Sequence, residues 1–463
     1  VTNNRWATIA IYIMLQAALP LAAADTKLAD RSQISGGEHQ QQLQEPGLNV
    51  RGMVPVAEPI KAAPQRLSSV APPEMQMLSL QAHVVPMFDA LTPLQRQMAS
   101  RAWGYFQREY QTATGLVNSV AGYRETTLWD VASVIAGTVA AYELGLIDNA
   151  EFDLRMRRLL TTLAQMPLYD GKLPNRSYHT DSAKPVVQAS NRQRNGSGWS
   201  ALDIARALGW LAILQRRQPQ LQTPVAAVIA AWQLPLLVNQ GELQGARFSR
   251  GHERRYQEGR LGYEQYAAMA LALWELPVAK ALARQSQQRA RVAATLLPFD
   301  RRPRPFLTSD PYYLAKLEFG ALPPAMEQDY QHLRQAHANR YRQQAQLSCV
   351  GEDAIAWPPW FLYNNLHYQG EPWQSTDYLG KPTSRSQRLS SKCAVALAVL
   401  ADDPLGRALW QQAQQLHHSD GWDSGIMVDD AVNRSRNLNT NAVILTALLY
   451  VHNGNQGLLS IAP

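Results

Sequence analysis

Beyond residue 87 the chain is a succession of helical-period segments joined alternately by tight turns and long crossings. That alternation narrows its fold more than any other feature. Twelve segments are predicted, beginning near Pro93, Thr127, Glu151, Ser200, Pro224, Gly262, Val278, Asp310, Pro324, Arg388, Pro404 and Asn439. Proline stands at or near the first turn of several, where its missing N–H costs nothing. The connections after the even segments are short, as in Leu146-Ile147-Asp148 and Asp402-Asp403. Those after the odd segments are long and cover about 112–126, 167–199, 239–261, 296–309, 347–387 and 419–438. The even segments are also the more uniformly apolar, as at 393–400 and 442–449, and a helix apolar all round is buried on both sides.

Six buried helices, each followed by an amphipathic partner, predict an all-α (α/α)6 toroid of six inner and six outer helices. No run shows strand alternation, so no sheet is expected. The long loops then gather on the face where the inner helices begin, and loops on a rigid scaffold carry function. Six helix N-termini turn partial positive charge and free N–H groups toward that face. An irregular helical solenoid is the alternative and does not require the loops to converge.

Residues 1–24 read as a signal peptide: Arg5, an apolar run from Trp6 to Leu21, then Ala22-Ala23-Ala24. An uncleaved leader is the alternative and would be the sole membrane contact. Residues 25–87 read as a disordered Gln/Pro-rich linker, which leaves 88–463 for the toroid. The expected location is the periplasm, and the expected state is a monomer. In that oxidising compartment Cys349 and Cys393 are either a disulfide or two inert thiols. No metal-ligand spacing is present, and no cofactor is expected.

Charged residues make up 17% of the chain, and its formal charge of +7 is carried mostly by Arg. A dense stretch through Arg247, Arg250, Arg254, Arg255 and Arg260 suits an acidic glycan or a membrane surface. No zinc-finger, RRM or KH signature occurs, so nucleic acid is not an expected partner.

Candidate chemistry clusters at the inner-helix starts. Asp130 and Asp203 each follow a hydroxyl by three residues, Thr127 and Ser200, the spacing of a capping box, and the same spacing sets both acids at the mouth. Glu264 lacks such a hydroxyl and is the preferred acid. It closes the run Glu258-Gly259-Arg260-Leu261-Gly262-Tyr263-Glu264, and Asp423, next to Trp422 in the last long loop, is its expected counterpart across the mouth. Paired carboxylates serve glycosidic cleavage: one protonates the departing oxygen while the other activates water or attacks the sugar. Glu264, Asp423 and Asp130 are therefore the catalytic candidates. Trp129, Tyr178, Trp199, Tyr263 and Trp422 offer flat faces to sugar rings, and Asp203, Glu258, Arg260, Asn175 and Arg176 offer hydrogen bonds. The cluster 173–179, with Asn175, Arg176, Tyr178 and His179, also suits a lyase that neutralises a uronate and abstracts a proton.

Together Thr114-Gly115, Thr127-Leu128-Trp129-Asp130, Leu173-Pro174-Asn175-Arg176, Gly198-Trp199-Ser200-Ala201-Leu202-Asp203, Glu258-Gly259-Arg260-Leu261-Gly262-Tyr263-Glu264 and Asn439-Thr440-Asn441 resemble the bacterial domain-of-unknown-function family 3131. The resemblance spans roughly residues 95–453 and implies an exported, glucoamylase-like α/α toroid associated with envelope polysaccharide systems. In the last loop the family pattern sets Glu after an aromatic and before Gly, where this chain has Trp422-Asp423-Ser424-Gly425. The expectation is a periplasmic carbohydrate-active protein, glycoside hydrolase-like and inverting by fold analogy, that acts on an envelope or exported polysaccharide. The alternatives are a non-catalytic glycan-binding scaffold of polysaccharide export and a polysaccharide lyase.

Overall fold

The computed structural model describes residues 91–460, apart from 188–193, 250 and 285–286. The expected signal peptide and linker lie outside the described residues. Twelve α-helices are present among the described residues: α1 Pro93–Glu109, α2 Leu128–Glu143, α3 Asn149–Gln165, α4 Ala201–Arg217, α5 Gln222–Ala231, α6 Tyr263–Ala272, α7 Ala279–Leu282, α8 Asp310–Phe319, α9 Pro324–Gln344, α10 Ser391–Val399, α11 Pro404–Ala413 and α12 Leu438–His452. No helix among the described residues is long and apolar enough to cross a membrane.

Local chemistry explains where these helices start. Thr92, Thr127, Asp148, Ser200, Asp403 and Asn437 each accept a backbone N–H of the first turn, and Pro93, Pro324 and Pro404 occupy opening positions. Burial then separates two classes. Helix α10 buries all nine of its residues, whereas α3 buries only Phe152, Met156, Leu159, Leu160 and Leu163, a single stripe at helical spacing.

The more deeply buried helices touch in a cycle, α2–α4–α6–α8–α10–α12, and α12 returns to α2. Each also packs on its amphipathic neighbour: α3, α5, α7, α9 and α11 follow their partners, and α1 lies against α12. A polar cluster joins five of the six inner helices. Arg206 of α4 donates to the Trp129 carbonyl (3.1 Å) and Ser133 Oγ (2.8 Å) of α2, to Asn439 Oδ1 of α12 (3.2 Å) and to Glu318 Oε1 of α8 (3.3 Å). Tyr266 of α6 donates its hydroxyl to the same Glu318.

The all-α expectation is corrected. The crossings contain short antiparallel strands, chiefly a hairpin of Glu242–Ser249 with His252–Gln257 and another of Gln287–Val292 with Thr295–Asp300. The second hairpin replaces most of the helix expected from Val278, of which only the single turn α7 remains.

These strands and their backbone bonds link neighbouring crossings all the way round. Glu125 pairs with His179, Trp199 N–H donates to the Ala246 carbonyl (3.1 Å), and Leu261 N–H donates to Asp300 (3.0 Å). Leu366 N–H donates to the Leu307 carbonyl (2.8 Å), Leu389 pairs with Ile426, and Leu438 N–H donates to the Ser119 carbonyl (2.9 Å). At two of these crossings only glycine fits, because a Cβ on Gly198 or Gly425, both at positive φ, would overlap the carbonyl of Ala246 or Leu389. All six long loops thus meet where the inner helices begin.

Cys349 and Cys393 form a disulfide, with Cα atoms 5.7 Å apart and a sequence separation of 44. It ties the crossing before α10 to that helix. Replacing both cysteines by alanine is expected to cost about 2–4 kcal/mol, read as a lower urea midpoint with a steeper slope, because the unfolded chain loses its cross-link and exposes more surface.

Candidate functional site

An open pocket lies among the loops. The crossing before α6 supplies Tyr256, Glu258, Arg260 and Tyr263; that before α8 supplies Arg304 and Phe306; that before α10 supplies Glu352 and Tyr363. Gly262, at φ 92°, turns the chain into α6 beside Pro311 and Tyr312, where a Cβ would crowd, and this sets Tyr263 as the first helical residue. Its hydroxyl meets Thr308 Oγ1 at 2.8 Å. Strand pairing sets Glu352 opposite Tyr363, and Tyr363 stacks on Phe306 at 4.1 Å between ring centres.

Both pocket carboxylates are built in. Glu258 accepts the Ala201 N–H and the Ser200 hydroxyl (3.1 Å), with Arg176 behind it at 3.8 Å. Burial raises its carboxyl above the usual range, opposed by Arg176. Glu352 is placed through its backbone N–H, which donates to Asp310 Oδ2 (3.1 Å) at the start of α8. Asp310 in turn accepts the Tyr313 hydroxyl (2.7 Å) and the Lys392 ammonium of α10. Beside it Asp353 accepts the Ser390 hydroxyl (3.0 Å). Burial pushes the Asp353 carboxyl up to about 7, although Lys392 pulls the other way.

The residues expected from the sequence are divided among several environments. Glu258, Arg260 and Tyr263 share the pocket. Arg176 stands behind Glu258 and also bonds the Trp199 carbonyl (3.1 Å) and the Tyr256 hydroxyl. Glu264 does not line the pocket: Arg302 holds it at 2.6 Å, and the Gln257 side chain donates to it at 2.9 Å. Burial raises its carboxyl while Arg302 counters.

Asp130 accepts the Thr127 N–H (3.0 Å) and hydroxyl (2.9 Å), and burial lifts it to about 6. Asp203, also buried, has its own N–H capped by Ser200 (3.2 Å). Asp423 lies between His418 Nε2 (2.8 Å) and Arg436 Nε (3.2 Å).

Apart from Tyr263, the expected aromatic platform is packed inside. Trp129 sits against Tyr263, Tyr266 and the Arg206 guanidinium. Trp199 donates to the Gln244 carbonyl (2.9 Å) and Trp422 to that of Met98 (3.2 Å). Tyr178 and Asn175 fix their own loop: the Asn175 N–H donates to the Tyr178 hydroxyl (2.7 Å), and Asn175 Oδ1 accepts the Ser197 N–H (2.8 Å).

Sequence reading missed Glu352, Tyr363, Phe306, Arg304 and Tyr256, together with the Asp310–Lys392 support. One signal was present. Lys392 is the lone charged residue in an otherwise small and apolar buried helix, and a buried ammonium demands a buried carboxylate.

Residues 97–454 match the family described as protein of unknown function, DUF3131. The chain belongs to the DUF3131 family. Solved structures share the fold of this DUF3131 chain. An endo-β-1,2-glucanase from Chitinophaga pinensis, in complex with sophorotriose and glucose, has a TM-score of 0.58 at 9% identity, covering 80% of this chain and 95% of its own. A glucoamylase-like protein from Bacteroides caccae has a TM-score of 0.56 at 12% identity, covering 79% and 94%. Another from Bacteroides fragilis has a TM-score of 0.57 at 11% identity, covering 83% and 95%. At these identities the likeness is one of fold. No curated protein matches the DUF3131 chain.

Proposed function

We propose that the cycle of buried helices is the inner wall of an (α/α)6 toroid and that its loop face is the active site of a glycoside hydrolase-like enzyme. The observation that carries this reading is the pocket itself. It draws Glu258 and Glu352 from two different crossings into one opening walled by four aromatic rings. In this reading Glu258, whose carboxyl burial keeps more readily protonated, donates to the departing glycosidic oxygen. Glu352 activates water or attacks the sugar. Glu264 stands one layer back, and Asp130 and Asp423 hold a helix start and the last loop. The β-1,2-glucanase among the fold neighbours supports a glucan or related polysaccharide as substrate.

We further propose export to the periplasm, which suits the Cys349–Cys393 disulfide.

The test is release of new reducing ends from β-1,2-glucan and envelope polysaccharides by the purified protein. Glu258→Gln and Glu352→Gln are each expected to lower it by about 10²–10⁴-fold. Undiminished release by both variants overturns the assignment, and loss in Glu264→Gln alone moves the acid there. A second reading, a non-catalytic glycan-binding module, is favoured by the ties of Asp130, Glu264 and Asp423 to a cap or a cation. Glycan binding without any release would support it.

A further inference from the structure

The strand Glu352–Ala354 sends consecutive side chains to opposite faces. Glu352 lines the pocket, and Asp353 turns the other way, where it is 1% exposed. This stretch lies close against the start of α8. A Cβ on Gly351 would stand 2.9 Å from Asp310 Oδ2, the oxygen that accepts the Glu352 N–H.

One buried cation serves three carboxyl groups here: the Lys392 ammonium of α10 is acted on by Asp310, Asp353 and Glu352. Asp310 takes that ammonium, the Tyr313 hydroxyl and the Glu352 N–H, three donors that suit an ionised carboxylate. Asp353 is poorly provided by comparison. Its Oδ1 accepts the Ser390 hydroxyl (3.0 Å), while its buried Oδ2 has no hydrogen-bond partner among the described residues. Directly across the strand pair stands Leu362, which brings no charge. From α8, Tyr313 has already given its hydroxyl to Asp310.

A buried carboxylate with a single hydroxyl donor is costly, so this site favours the neutral acid. Burial, reinforced by Asp310 and Glu352 against the pull of Lys392, pushes the Asp353 carboxyl up to about 7. While Asp353 is neutral, the ammonium is left to Asp310. Once ionised, Asp353 competes for that ammonium, and Asp310 loses part of the counterion that steadies its hold on the Glu352 backbone.

We propose that Asp353 is a positioning residue for Glu352: it holds a proton that leaves Lys392 to Asp310, and loss of that proton to solvent loosens Glu352 and sets the alkaline limit of cleavage. The inference rests on the reading of Glu352 as one of the two reacting carboxylates and assigns the control of its placement.

Two measurements on the full chain test it. The first is infrared difference spectroscopy between about pH 5 and about pH 9 on the parent and on Asp353→Asn. The parent is expected to lose the carbonyl band of a protonated carboxyl as pH rises through about 7, and the variant to lack that component. Comparing the two proteins separates it from other raised acids such as Asp130. A spectrum that Asp353→Asn leaves unaltered overturns the proposal. The second is kcat/KM on β-1,2-glucan over the same range. The parent's rate is expected to fall above about pH 7, and Asp353→Asn to carry that limb upward by about one unit or more. Ser390→Ala carries the same test if Asp353→Asn does not fold: it removes the donor that favours the anion, so band and limb both move to higher pH, by about one unit. A limb unmoved in both variants removes this inference and leaves the hydrolase reading standing. A titrating Asp353 in a protein that cleaves neither this glucan nor envelope polysaccharides removes the hydrolase reading, and the positioning role falls with it.

Discussion

Arg206→Met is expected to destabilise the fold by about 3–5 kcal/mol, because it strands the Glu318 carboxylate in the centre of the inner helices. Arg206 and Glu318 are both about 1% exposed, so water cannot replace the lost partner. The change also removes donors from the Trp129 carbonyl, Ser133 and Asn439. Chemical denaturation should show a lower midpoint, and the double variant Arg206→Met/Glu318→Leu should recover part of the loss, since an apolar pair of similar volume leaves no buried charge behind. A single variant as stable as the parent would show that Glu318 is protonated or hydrated without Arg206.

Lys392→Met is expected to cost a similar amount, about 3–5 kcal/mol, and its cost should depend on pH. Lys392 is the counterion of Asp310 and lies in the field of Asp353. Asp353 is raised to about 7 in the folded protein against an ordinary carboxylate value near 4. A folded-state pKa raised above the unfolded one makes the native state hold the extra proton. Stability from this group is therefore fully present in acid and is lost as pH rises through the window from about 4 to about 7. Removing the ammonium takes away the pull that opposes burial at Asp353, so the variant's deficit should be largest at pH 8 and should narrow toward pH 5. Urea unfolding of parent and variant at those two pH values checks this, and an equal deficit at both would refute it. Because Asp310 holds the Glu352 backbone, the glycan cleavage proposed for this pocket should also fall in the variant at temperatures where it is still folded.

The helix plan was legible because its signals are local. Thr127 and Ser200 cap the helices they were expected to start, Asp403 and Asn437 cap those expected near Pro404 and Asn439, and Pro93, Pro324 and Pro404 mark openings. The strands were hidden for equally local reasons. In Glu242–Ser249 and His252–Gln257 arginines occupy positions where alternation would call for apolar side chains, and Arg247 faces Arg254 across the hairpin. The hairpin at 287–300 turns on Ala293 and Ala294, both at positive φ, where such turns ordinarily advertise themselves with Asn or Gly. The site divides in the same way. Glu258, Arg260 and Tyr263 stood out because they are near neighbours in sequence, whereas Glu352, Tyr363, Phe306 and Arg304 reach the pocket from distant crossings and form no motif. The tryptophans misled because a large ring at a loop corner serves the core as readily as a ligand.

The knot of Arg206, Glu318, Tyr266, Ser133 and Asn439 also has a consequence for motion. It fastens residues of five helices of the cycle to one guanidinium and one carboxylate, so a shift of any one of these helices breaks a buried polar contact, and the helices beneath the loops are expected to yield together rather than singly.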